Sequence, residues 1–228
     1  NYKDSVFVVG NIGNPYTSAV LSMTEDSVAV AELSSFQLET IRDFRPEISA
    51  ILNLTPDHLD RHKTMQNYID AKARVFENQT KDQYCILNYD DAECRKLIEK
   101  CNATPVPFSR KEILDFGAYV KDENIVIKDA DGSVCEICGV EELQIPGSHN
   151  LENALAACAI AHFAGIDAEV IAKVLREFQG VEHRIELCNE IDGIRFVNDS
   201  KGTNPDAAIR AIEAMKRDII LIAGGYDK

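Results

Sequence analysis

Apolar positions along the chain fall into two periods. Short continuous runs, Val6 to Val9, Ser27 to Glu32, Ile48 to Asn53 and Gln83 to Asn88, read as strands covered on both faces. Between them, helices are expected from Pro15 to about Met23, from Leu33 onward and from Asp91 to Lys100, and three-and-four apolar spacing predicts another from Thr64 to Glu77. A short strand, Pro105 to Phe108, follows the last of these. Such alternation predicts an α/β fold with a mostly parallel sheet flanked by helices. From Gly117 to Ile145 the period drops to two. Ala118 to Val120, Ile125 to Lys128 and Val134 to Ile137, broken at Asp131-Gly132 and Gly139, predict a small antiparallel appendage. Gly147-Ser148-His149-Asn150 opens a helix that runs through Ala164 and closes at Gly165. Asp167 caps another, with Val170, Ile171, Val174, Leu175 and Phe178 toward the core. After Gly180 the pattern resets. Ile185 to Glu190 and Ile194 to Asn198 flank the hairpin signal Asp192-Gly193. Asn204-Pro205 starts a helix to about Met215, and Ile219 to Ala223 reads as a strand. A domain boundary is expected near Val181 to Arg184, giving units 1–182 and 183–228.

One residue departs from the helical pattern. The apolar stripe Met65, Tyr68/Ile69, Val75/Phe76 carries Lys72 between Ile69 and Phe76. An ammonium on a buried face is costly unless it is paired or modified. Lys72 therefore either snorkels to solvent or serves a function.

Composition narrows the possibilities. Of 228 residues, 45% are hydrophobic and 27% charged, which are globular proportions. The formal net charge of -14 argues against nucleic acid or an anionic membrane as partner, since both need clustered Lys and Arg. It leaves room for an anionic small molecule held by a few local donors. No run is apolar enough to span a bilayer. The seven cysteines are odd in number and scattered. Cys135 and Cys138 form a CxxC without a second pair at zinc spacing, so a reduced, cytoplasmic protein is expected. The chain begins at Asn1 and ends just past Gly224-Gly225, so both ends read as truncated.

Strand ends carry the candidate chemistry, because open α/β sheets bind ligands at the carboxyl ends of their strands. Gly10-Asn11-Ile12-Gly13 is a glycine turn that lacks the lysine and Ser/Thr of a phosphate loop. Glu32 ends the second strand, and Asp57-His58 follow the third. Asn153 lies in the first turn of its helix, where it could bond a base edge or serve the helix terminus.

Taken in order, Glu32-Leu33-Ser34-Ser35-Phe36-Gln37-Leu38-Glu39, Leu54-Thr55-Pro56-Asp57-His58-Leu59-Asp60-Arg61-His62, Ala71-Lys72-Ala73-Arg74, Gly147 to Ala154, His183-Arg184 and Asn198 to Asn204 resemble the Mur ligases of bacterial peptidoglycan synthesis. The resemblance covers nearly the whole chain. It implies a central ATPase domain over 1–182 and the opening of a Rossmann-like C-terminal domain over 183–228. The family's phosphate loop would lie just upstream of Asn1, and without it this stretch alone is expected to be inactive.

The implied reaction is ATP-dependent joining of D-glutamate to UDP-N-acetylmuramoyl-L-alanine through an acyl phosphate, with ATP and magnesium as cofactors, in a cytoplasmic monomer. By the resemblance, Glu32, His58 and Lys72 are catalytic and metal-facing, with Lys72 carbamylated by carbon dioxide. Asn11, Ser34 and Gln37 face the muramoyl substrate, and Lys201, Thr203 and Lys228 the incoming D-glutamate. Asn153, Arg184 and Asp199 face the nucleotide. Ser35-Phe36 and Asp199 to Thr203 differ from the matching segments of the diaminopimelate- and lysine-adding relatives. Another Mur-type ligase, a folylpolyglutamate synthase relative and a non-catalytic nucleotide-binding fragment are the alternatives.

Overall fold

The computed structural model describes residues 6–203, 205–215 and 218–225. The strands are β1 Val6–Gly10, β2 Val28–Glu32, β3 Ile48–Ile51, β4 Tyr84–Asn88, β5 Thr104–Ser109, β6 Gly117–Lys121, β7 Asn124–Lys128, β8 Val134–Gly139, β9 Glu186–Ile191 and β10 Ile194–Asn198. The α-helices are α1 Tyr16–Ala19, α2 Ser35–Leu38, α3 Leu59–His62, α4 Met65–Ala73, α5 Ala92–Leu97, α6 Ser148–Phe163, α7 Ala168–Glu177 and α8 Pro205–Ala214.

Six strands form the main sheet in the order β3-β4-β5-β6-β7-β8. The pairs β3·β4, β4·β5 and β5·β6 are parallel, whereas β6·β7 and β7·β8 are antiparallel. The antiparallel segments expected from the period change are thus present, and they continue the main sheet through β6 rather than standing apart from it. β1 and β2 pair in parallel as a separate two-stranded sheet, and β9 and β10 form the expected hairpin. Asp192 and Gly193 both take positive φ at its turn, the geometry that matches strand twist.

Both faces of the sheet are covered where the sequence reads as continuously apolar. On one face Ile86, Val106, Phe108, Ile125 and Ile127 pack against Ala154, Leu155, Cys158 and Ala159 of α6 and Ile171 of α7. On the other, Ile51, Cys85 and Leu87 pack against Tyr68 and Ile69 of α4, Phe76 beyond it, and Cys94 and Leu97 of α5. The alanines of α6 let its backbone lie close to the sheet, as their spacing suggests.

Two expectations change. The stretch from Asp57 is not simply a break before a helix, because Leu59–His62 folds as the extra turn α3. Ile219 to Ala223 pairs with no strand among the described residues, and Ile220 and Ile222 are 93% and 95% exposed. A continuously apolar strand needs neighbours on both faces to be stable, and among the described residues this one has none. Asn204 and Lys228 lie outside the described residues.

Candidate active site

The carboxyl ends of β1, β2 and β3 carry the first cluster. Gly10 has φ +107°, and a Cβ there would meet the Glu32 carbonyl oxygen at 2.1 Å. The glycine turn therefore lets β1 and β2 approach closely. Asn11 N–H donates to the Glu32 carbonyl at 2.7 Å, and Asn11 Nδ2 donates to Glu32 Oε1 at 3.1 Å. Glu32 itself is exposed.

Ser34 caps α2 in a capping box. Its Oγ accepts from Gln37 N–H at 3.3 Å, while Gln37 Oε1 accepts from Ser34 N–H at 2.8 Å and from Ser34 Oγ at 3.1 Å. Among the described residues the Gln37 amide nitrogen donates to no partner. His58 takes a left-handed conformation at φ 52°, uncommon for a non-glycine residue and common where function fixes the backbone. Its N–H donates to Asp57 Oδ1 at 2.9 Å, and its ring sits 5.0 Å from the Phe36 ring.

Thr64 Oγ1 caps α4 by accepting from Asn67 N–H at 3.1 Å, and α4 turns Lys72 inward. The Lys72 ammonium lies 5.4 Å from the centre of the Tyr68 ring. Burial holds the Lys72 pKa below the ordinary lysine value, opposed by the charges of Asp57 and Glu32. Burial and Asp57 push the Tyr68 phenol up to about 12. Glu32, Asp57 and Lys72 thus share one electrostatic neighbourhood, with His58 beside Asp57.

A second group forms at the start of α6. Asn153 Nδ2 donates to Asn150 Oδ1 at 3.3 Å, and Asn150 Nδ2 donates to the Pro146 carbonyl at 2.6 Å. His149 is held below its ordinary value by burial and then by Arg210. Glu152, Arg184 and Asp199 also act on it, which places Arg184 and Asp199 around the same helix start as Asn153. Asp199 accepts from Ile185 N–H at 3.1 Å. Lys201 and Thr203 are exposed on the following loop, and Lys201 N–H donates to the His183 carbonyl at 3.0 Å. Lys228 lies outside the described residues.

Sequence reasoning gave no role to Asp57, Tyr68 or His149. Asp57 was readable beside His58, whereas Tyr68 and His149 became visible only through their neighbours. Among the described residues no three His, Cys, Asp or Glu side chains form a ready metal cluster. Cys135 and Cys138 lie on β8 as free thiols, Cys138 in the core.

An α/β fold with Glu32 at the end of β2, Asp57 and His58 in the loop after β3, and the partly buried Lys72 on α4 has the layout of a ligand-binding α/β protein. Residues 6–161 match the family described as Mur ligase middle domain, and the chain belongs to the Mur ligase family. It is 58% identical over 228 residues to a UDP-N-acetylmuramoylalanine--D-glutamate ligase of Thermoanaerobacter sp. (strain X514), covering 100% of this chain and 50% of that protein. It is 52% identical over 226 residues to the enzyme of the same name from Clostridioides difficile (strain 630), covering 99% and 50%. The chain thus spans about half the length of the curated relatives it matches. Among solved structures, a MurF ligase from Thermotoga maritima in complex with ADP superposes with TM-score 0.68 at 17% identity, covering 93% of this chain and 51% of that one. A UDP-N-acetylmuramoyl-L-alanyl-D-glutamate--2,6-diaminopimelate ligase superposes with TM-score 0.62 at 26% identity, covering 85% and 40%.

Proposed function

We propose that this chain forms part of an ATP-dependent ligase that joins the amine of D-glutamate to the carboxylate of UDP-N-acetylmuramoyl-L-alanine. The observation that carries the reading is the 58% identity, over the whole chain, to a protein of that name. ATP phosphorylates the substrate carboxylate to an acyl phosphate and leaves as ADP. The amine then attacks the acyl carbon, and phosphate departs. Residues 1–182 form the nucleotide-handling domain and 183–228 open the next. The separate β9–β10 sheet and the positive φ of His183 and Ile185 at the junction support that division. The protein acts in the cytoplasm as a monomer.

Magnesium fits the donor set. It binds through one or two carboxylates completed by substrate phosphates and water, so it needs no dedicated protein cage. Glu32 would hold it, with His58 beside it and Asp57 adding negative charge. When bound, it screens the phosphate and carboxylate charges that must approach one another. Asn11 orients Glu32 through the 3.1 Å hydrogen bond. Ser34 and Gln37 border the muramoyl substrate, where the free Gln37 amide donors suit a carboxylate or sugar.

Lys72 supplies the unusual chemistry. Its depressed pKa leaves more neutral amine, whose lone pair adds to carbon dioxide. An N–C bond forms, one proton leaves to solvent, and an anionic carbamate replaces the cation. That group can face a metal ion instead of repelling it. Asn153, Arg184 and Asp199 surround the nucleotide, a reading supported by the charges of Arg184 and Asp199 acting on His149, which lies on α6 with Asn153. Lys201, Thr203 and Lys228 receive D-glutamate, whose two carboxylates call for cations and hydroxyls.

The test uses a protein of the relatives' length containing this chain. Phosphate release should require both substrates and ATP, and mass spectrometry should detect the amide. Phosphate release without amide formation, or turnover with diaminopimelate in place of D-glutamate, overturns the reading.

A further inference from the structure

His62 is buried, with its side chain only 3% exposed, at the end of α3 and in contact with three segments. Its Nε2 lies 2.9 Å from Ser35 Oγ in the first turn of α2. Its Nδ1 lies 3.6 Å from Glu39 Oε1 at the end of α2, and Glu39 Oε2 accepts from Arg61 Nη2 at 2.7 Å. The His62 ring stacks on Phe36 at 5.5 Å with an interplanar angle of 8°, and meets the Tyr68 ring edge-on at 5.5 Å. Its carbonyl accepts from Asn67 Nδ2 of α4 at 2.8 Å.

By distance, Ser35, His62 and Glu39 line up like a nucleophile, a base and an orienting acid. Ser35 is 2% exposed, however, so no substrate reaches its hydroxyl. The arrangement is better suited to holding neighbouring groups in place. Phe36, on which His62 stacks, also contacts the His58 ring at 5.0 Å. Tyr68, which His62 meets edge-on, is the ring facing the Lys72 ammonium at 5.4 Å. Ser34 and Gln37 flank Ser35 in the same capping box. His62 therefore sits between the substrate turn, the His58 loop and the Lys72 helix.

We infer that His62 is a positioning residue, whose polar link to Ser35 and Glu39 sets the α2 turn and His58 in register with Lys72. The inference rests on the ligase reading for its effect on turnover, but its geometric content can be tested without turnover. Two variants cut the link from opposite ends. His62→Phe keeps the ring between Phe36 and Tyr68 and removes both polar contacts. Ser35→Ala removes a single hydroxyl.

In the 228-residue chain, NMR should show the His58 ring and Lys72 side-chain resonances displaced in both variants, and in the same direction. Circular dichroism should show the fold retained. In the protein of relatives' length, each variant should lower kcat by roughly 10–100-fold, the scale of a displaced reacting geometry, with KM for ATP unchanged. The double variant should be no worse than the worse single one, because both remove the same link. His62→Gln, whose amide can face both partners, should restore part of the rate. If His62→Phe fails to fold, Ser35→Ala decides alone. Unmoved His58 and Lys72 resonances with kcat at the parent value overturn the inference. If the parent protein forms no amide, the ligase reading falls, and the NMR comparison still decides whether His62 positions these groups.

Discussion

Lys72 illustrates how a single side chain reports on its site. Its place on an apolar stripe is a property of the 3.6-residue period, and the sequence alone shows that the ammonium must be tolerated somehow. Only the fold shows which charges tolerate it, because Asp57 and Glu32 come from other strand ends. In the protein of relatives' length, Lys72→Ala should reduce amide formation on the order of 10²-fold, and added short carboxylic acids should recover part of it. Full activity in the alanine variant would remove Lys72 from the mechanism. His149 allows a pH test. Its pKa in the fold lies below the ordinary value, chiefly through burial and Arg210, with Arg184 acting in the same sense and Glu152 and Asp199 opposing. The unfolded chain therefore takes up a proton first as pH falls below about 6.5, and stability declines until the folded pKa is reached. The slope should stay below the about 1.4 kcal/mol per pH unit of a full proton, reduced by solvent screening because the ring is partly exposed. Urea midpoints between pH 5 and 7.5 should lose this component in His149→Gln.

Short elements depend on their ends. α4 starts where Thr64 Oγ1 accepts from Asn67 N–H, and its apolar face then seats Tyr68 and Ile69. Thr64→Ala should cost about 1 kcal/mol in urea unfolding, the usual value of a lost N-cap. No measurable change would mean the packing of α4 fixes its start without the cap. The last turn is tied across to α2, since Arg74 donates to the carbonyls of Glu39 and, at 2.7 Å, Ile41. Periodicity made α4 and α7 readable because each is long enough to show a face, and Gly147 and Gly165 at its ends made α6 readable. α3, at a single turn, has no period to read, so the inward position of His62 was hidden. Its partner Ser35 lies 27 residues away, a separation that local pattern cannot bridge.

At the scale of the molecule, the junction between β5 and β6 decides the architecture. There a parallel sheet continues into an antiparallel meander. Gly117 has φ +107°, and a Cβ would meet the Pro107 carbonyl oxygen at 2.0 Å. Gly117→Ala should destabilise the chain by well over about 1 kcal/mol, and hydrogen exchange should quicken first across β6 to β8. Uniform exchange across the whole sheet would show that the junction is not a weak line.

The sequence by itself determined most of the strands and the longer helices, though not α3, and that Glu32 and His58 end or follow successive strands. These are local matters of period, caps and turn residues. Tertiary structure alone decided that β6 to β8 join the main sheet, that Ile219 to Ala223 stays unpaired among the described residues, and that His62 meets Ser35. Strand pairing and cross-segment contacts depend on the packing of residues far apart in the chain, which no local window contains.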